Sequence, residues 1–303
     1  MIVPEDRWPQ AREKWRRTEE LGFDHAWTYD HLNWRAFAER DWFTSVPTLA
    51  AAAVETTRIS IGVLVASPNL RHPVQLAKDM TTVADVAGGR LILGLGAGGE
   101  GFDASMTRRR PWSRGERTAR FVEYVGLLDR LLTQPCTSSD GPYYYADTVH
   151  SHPLEQPRMP FAVAAAGARG MDLAARFGQY WVTMGQPNVF ADSSYEQALP
   201  VVRQQVEQLT AACAARGRDP GSISRLLVTG PNIGGVLASK DAFFDASGSF
   251  AKAGITDLVV QWPRRDGLYR GREAVLEEVA AELPRAGGAE SRRQGTAVAA
   301  AAS

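Results

Sequence analysis

Apolar residues follow two rhythms along this chain. Short runs are apolar at almost every position, longer stretches carry apolar residues at helical spacing, and the two alternate. The run ISIGVLV over 59–65 is the plainest of the first kind. A strand apolar on both faces belongs in a parallel sheet covered on both sides. Further strands are predicted over 23–29, 91–95, 161–165, 180–183, 224–230 and 256–261, with a stub at Ile2, Val3 and Pro4 ending a first strand cut very short. Helices are predicted over 9–21, 46–55, 73–87, from 116 onward, and over 168–177, 195–216, 241–253 and 271–282.

Counting the stub, these make eight strand–helix pairs. Strict alternation implies a parallel sheet, and eight pairs at this length imply an α/β fold of the (β/α)8 barrel type. A doubly wound open sheet is the alternative. The segment 133–160, with Tyr143, Tyr144, Tyr145 and several prolines, is too long for an ordinary connection; it reads as an insertion after the fourth βα unit that covers one rim. The barrel domain is expected over 1–285. The Ala/Gly-rich stretch 286–303 lacks periodicity and reads as a disordered tail.

The fourth strand runs into glycines, GRLILGLGAGGEG over 89–101. Gly94, Gly96 and Gly99 match G-x-G-x-x-G, but no helix opens on them; Pro111, Gly115 and a run of charges follow instead. The dinucleotide reading fails on that context. A turn remains one reading, and close backbone approach to a ligand the other.

Charge narrows the partners. Lys+Arg and Asp+Glu both number 34, so nothing favours nucleic acid or a membrane surface; Arg108, Arg109 and Arg110 form the one basic run and read as a solvated loop. Two cysteines, Cys136 and Cys213, make neither a disulfide framework nor a metal spacing, and suggest a reducing cytoplasm. The N-terminus lacks the apolar core of a signal peptide, and no apolar run is long enough to span a bilayer.

Barrel enzymes place chemistry at the C-terminal strand ends. That rule nominates Asp30, His31 and Trp34; Ser67, Pro68, Asn69 and Arg71; residues 96–100; residues 167–170; Met184, Gly185 and Gln186; and Trp262 and Arg264. His31 is the best acid–base candidate, beside Asp30 and among Trp27, Tyr29 and Trp34; a structural histidine is the alternative. No metal is expected, because no second ligand sits at metal spacing nearby. Ala165, Ala166, Gly167, Ala168, Arg169 and Gly170 lie between a strand and a helix N-terminus, which suits an anion as well as it suits a tight turn.

The ordered segments GFD with Asp30-His31, IGVLVASPNLRHPVQLAKDMTTVADVAGGRLILGLGAGG, PFAVAAAGARGMDLAARFGQYWVT and GITDLVVQW resemble the bacterial luciferase-like family over roughly residues 2–283. These are TIM-barrel oxidoreductases that use reduced FMN or the deazaflavin coenzyme F420. The resemblance implies that His31, with Asp30 before it, acts at the reactive face of the cofactor ring. It implies a bulge with a non-proline cis peptide near Leu64 and Val65 behind that ring. Gly96, Ala97 and Gly98 would lie against the cofactor, and the segment Ala166, Gly167, Ala168, Arg169 and Gly170 would receive its phosphate. Trp34, Trp112, Tyr143 and Trp262 supply aromatic surface for an organic, small-molecule substrate. An FMN- and O2-dependent monooxygenase served by a separate flavin reductase is the leading expectation. An F420-dependent hydride-transfer enzyme and a non-catalytic flavin-binding relative are the alternatives. Homodimerisation is also implied. Two departures stand out: Ala97 falls where luciferases carry a phosphate-binding arginine, and Gly99 falls where sugar-phosphate dehydrogenases of the deazaflavin branch carry a glutamate, with Glu100 one place on.

Overall fold

The computed structural model describes residues 1–283 apart from 101–102, 108–109, 155–156, 186–193 and 231–232. The expected tail, Gln186, Arg108 and Arg109 therefore lie outside the described residues. In chain order the elements are α1 (Trp8–Glu20), β1 (His25–Thr28), α2 (Ser45–Glu55), β2 (Ser60–Ala66), α3 (Pro73–Val86), β3 (Leu91–Leu95) and α4 (Arg114–Thr133). Then come β4 (Cys136–Asp140), β5 (Tyr145–His150), β6 (Phe161–Ala164), α5 (Ala168–Phe177), β7 (Tyr180–Thr183), α6 (Tyr195–Ala215), β8 (Ser224–Val228), α7 (Lys240–Lys252), β9 (Asp257–Val259) and α8 (Glu273–Glu282).

Seven strands pair in parallel in the order β1-β2-β3-β6-β7-β8-β9. The N-terminal stub joins the two ends. Ile2 N–H donates to Trp27 O and Ile2 bridges Thr28 in parallel, while Trp262 N–H donates to Met1 O at 2.8 Å. The ring of strands with its outer helices is the expected TIM-type barrel, and the open-sheet alternative falls away. The insertion after the fourth βα unit is present and forms an antiparallel hairpin, β4 against β5. Its strands are mostly exposed and polar, so no apolar alternation announced them.

Alternation along each strand sorts the core into two layers. Ile61, Val63, Leu91, Leu93, Phe161, Val163 and Trp181 face the helices. Trp27, Leu64, Ile92, Ala162, Val182, Leu226 and Val259 fill the barrel. Trp27 is fully buried there, and its ring takes the room that a side chain at position 62 would need: a Cβ on Gly62 would lie 2.5 Å from that ring and would strike Ile92 O. Around the outside, Glu19 of α1 accepts N–H bonds from Thr57, Arg58 and Ile59 and so fixes the entry to β2.

Gly62→Ala is expected to cost about 1–3 kcal/mol through overpacking; the urea midpoint reports it, and an unchanged midpoint refutes the packing account. Burial pushes the Glu19 carboxyl up, but its backbone donors outweigh that and hold it below the ordinary 4.5. Its folded pKa lies under its unfolded one, so its contribution is present above the unfolded value and lost as pH falls through the folded one. Glu19→Gln should therefore be less stable than wild type at pH 7, with the gap closing at acid pH in thermal melts.

Candidate active site

The floor of the upper rim is built where β2 meets β3. The Leu64–Val65 peptide is cis, and the β2–β3 register shifts between Val63 and Ala66. The glycines opposite leave room for this bulge. A Cβ on Gly94 would meet Val63 O and come within 2.8 Å of Leu64 Cδ2; one on Gly96 would meet the Val65 side chain. The first close approach these glycines permit is thus of strand to strand. Gly98 adopts φ 73°, in the region that favours glycine, with the Asn69 amide against it. Asn69 Nδ2 donates to Gly99 O at 2.9 Å, and the buried Arg120 donates to Pro68 O at 2.9 Å while stacking on Trp112. The loops after β2 and β3 are held as one surface, on which Ala97 is half-buried.

Beyond the end of β1, Asp30 and His31 go separate ways. Asp30 is buried, its side chain 3% exposed, and receives a bidentate pair from Arg71 (3.1 and 2.7 Å) and the Ser45 hydroxyl at 2.6 Å. Both of its oxygens are engaged by these donors, which makes it an anchor. His31 is 38% exposed, and its Nδ1 lies 2.7 Å from Asp103 Oδ2. Burial raises the Asp103 carboxyl, but the His31 hydrogen bond and the N–H groups of Leu32 and Ala104 hold it below 3.8. An ionised carboxylate only accepts, so Nδ1 carries the proton. Nε2 has no hydrogen-bond partner among the described residues.

Rings surround this imidazole. Trp34 stacks on it (centroids 6.2 Å apart, planes 10° apart), and Trp42 meets it edge-on while donating to His31 O. Trp34 also touches Tyr29 and Tyr269, whose hydroxyls lie 3.0 Å apart. Burial pushes Tyr29 up to about 12, so it stays a neutral phenol. The other candidate aromatics are not gathered here. Trp112 packs edge-on against Tyr143 on the side of α4. Trp262 is buried between sheet and helices, its indole donating to Glu273, so it gives no surface to the aromatic box.

After β6, α5 begins at Gly167 with no side-chain cap. Ala166, Gly167, Ala168 and Arg169 are exposed, so unpaired N–H groups and the positive helix end face outward. Gly167 has φ −116°, which any residue adopts, and nothing nearer than Arg114 Nη2 at 4.0 Å from its absent Cβ. Gly170 is different: a Cβ there would press on Ala165 Cβ at 2.9 Å. Among the described residues no cluster suits a metal ion and no helix is long and apolar enough to cross a membrane. Two residues escaped the sequence reading, Asp103 and Tyr269. A search of the fourth strand end carried three residues past Glu100 would have found Asp103.

Arg71→Met strands a buried carboxylate and is expected to cost about 3–5 kcal/mol. Asp30→Leu with Arg71→Met should recover most of that in denaturant titration; a single-variant loss near zero would contradict the anchoring role.

A family model described as luciferase-like monooxygenase matches residues 2–231. The F420-dependent glucose-6-phosphate dehydrogenase of Beutenbergia cavernae is 35% identical over 167 residues, covering 54% of this chain and 49% of that protein. The F420-dependent hydroxymycolic acid dehydrogenase of Mycobacterium tuberculosis is 28% identical over 209 residues, covering 68% and 54%. The chain thus spans about half the length of the curated relatives it matches. In structure it is similar to the coenzyme F420-dependent tetrahydromethanopterin reductase of Methanopyrus kandleri, with TM-score 0.73, 18% identity and coverage of 93% and 97%. With more than half of its residues matched by the family model, and with the barrel those relatives share, this chain belongs to the luciferase-like monooxygenase family.

Proposed function

We propose that this chain is a coenzyme F420-dependent oxidoreductase that moves hydride to or from an organic substrate, in place of the expected monooxygenase using reduced FMN and O2. The observation in the molecule that carries the reading is the His31–Asp103 pair. Removing hydride from an alcohol carbon requires a base for the hydroxyl proton, and an imidazole with a carboxylate behind it is such a base. The names of the relatives point the same way: both dehydrogenases are F420-dependent. A flavin reductase partner is no longer called for. The free, widely separated cysteines, one exposed and one buried, suit a cytoplasmic enzyme, and a homodimer remains part of the reading.

The residues present fit such a cofactor. Leu64 and Val65 offer an apolar floor, and Gly96, Ala97 and Gly98 present almost no side chain above it. The uncapped α5 terminus from Ala166 to Gly170 suits a phosphate. Bound there, F420 would supply a two-electron hydride acceptor or donor. In the oxidising direction His31 Nε2 takes the substrate's hydroxyl proton, and in the reducing direction it returns it. Asp103 keeps the proton on Nδ1 and stabilises the imidazolium that forms. Asp30 fixes the backbone that carries His31, and Trp34 with Tyr269 excludes water from the imidazole's flank.

Tryptophan-fluorescence titration should give tighter binding of F420 than of FMN; tighter FMN binding would end the deazaflavin reading. Gly167→Val has room in the fold, so its melting temperature should hold while F420 affinity falls about tenfold or more. Loss of stability in place of affinity would remove the phosphate role. His31→Ala should lower kcat by roughly 10²–10⁴-fold with the melting temperature unchanged. Asp103→Asn should lower kcat less and move the acidic limb of the kcat/KM profile to lower pH, a shift that a purely structural carboxylate would not cause.

A further inference from the structure

Residues 229–230 and 233–238 after β8 and residues 263–272 after β9 line a cleft on the same rim. It measures about 720 Å³, a size suited to a small organic ligand. One wall is uncharged, with Gly230, Gly234 and Gly235 among small and apolar residues such as Ile233, Val236 and Leu237. The other is cationic: Arg265, Arg270 and Arg272 all line it. Among the described residues none of these three has an acidic partner, whereas the nearby acids are engaged. Asp266 accepts from Arg40 at 2.8 Å, Glu273 from the Trp262 indole, and Glu5 from Arg264. The cavity therefore holds uncompensated positive charge.

The loop that carries these arginines is rigidly held. Arg264 is buried, pairs with Glu5 through two nitrogens, donates to Asp266 O and Leu268 O, and stacks on Phe37 at 4.5 Å. Its backbone exchanges bonds with Tyr269 and Gly271. Within this loop Tyr269 sits at φ 65°, a conformation uncommon for an aromatic residue and sustained only by its surroundings. Its ring faces two ways. It lines the cavity, and it lies 6.0 Å from Trp34, the ring stacked on His31. The cavity and the imidazole are thus neighbours across two rings. The α5 terminus stands elsewhere on the barrel, with β7 between its strand β6 and β8.

We propose that this cavity receives an oxyanion on the far end of the substrate, a phosphate or a carboxylate, held by Arg265, Arg270 and Arg272. Guanidinium forks match either group with paired, charge-assisted hydrogen bonds. Binding a remote anion there would orient the reacting carbon towards His31. That the anion belongs to a substrate rests on the oxidoreductase reading; that the cavity binds an anion does not.

The test uses the full chain and needs no cofactor for its first arm. Gly167→Val, which obstructs the α5 terminus, is titrated calorimetrically with inorganic phosphate and, separately, with citrate. At least one should bind, and the tighter of the two identifies the group. Adding Arg265→Gln, Arg270→Gln and Arg272→Gln should weaken that binding about tenfold or more. These side chains are exposed, so the melting temperature should hold. No binding by either anion, or binding indifferent to the three substitutions, overturns the proposal. In the second arm the triple variant of the otherwise native chain should bind F420 as wild type does. A matching loss of F420 affinity would assign the cavity to the cofactor and overturn the substrate assignment. Failure of F420 to bind wild type would strike the oxidoreductase reading alone, leaving the anion result intact.

Discussion

A carboxylate removed from water needs a cation, and in this barrel that requirement organises the rim. Asp30 lies just past β1, Arg71 lies between β2 and α3, and Ser45 opens α2. Their mutual bonds join two connections and the start of a helix. Desolvating the pair is costly, and its attraction offsets that cost only while every partner is present. The backbone carrying His31 inherits this fixity, because His31 is the next residue.

The two acids of the rim consequently do different work. Asp30 is spent on a guanidinium and anchors; Asp103 faces an imidazole and pairs with its Nδ1. The glycines divide in a similar way. Gly94 and Gly96 serve the bulge of the neighbouring strand, whereas Gly98 supplies a positive φ against the Asn69 amide. The glycine burst thus answers first to strand geometry.

How legible was this beforehand? The parallel strands were plain, since burial on both faces leaves runs such as LILGL and FAVA unbroken by polar residues. The β4–β5 hairpin was not, because CTSSD and YADTVH pair at the surface where only backbone bonds and a few contacts recommend a strand. His31 was legible from its strand end, but its partner lies 72 residues away and no local pattern records that distance. Trp262 follows β9, and proximity to a strand end does not fix which way a ring turns; it packs between sheet and helices. The arginines at 265, 270 and 272 form no motif in the sequence; the loop after β9 brings them to one wall.

The Glu5–Arg264 pair has a consequence for how the chain reaches this state. It joins residues 259 apart in sequence, beside the backbone bonds by which the stub meets both ends of the sheet. Contacts of such separation carry the largest loop-closure entropy unless the intervening units have already folded and drawn the ends together. The seam is therefore the natural last event of folding, with successive βα units condensing first. A folding intermediate lacking only the seam would hold Asp30, Arg71 and the glycine bulge in place, yet leave the post-β9 loop without its anchor. Native-state hydrogen exchange should accordingly divide this barrel into a slow-exchanging middle and an earlier-opening seam.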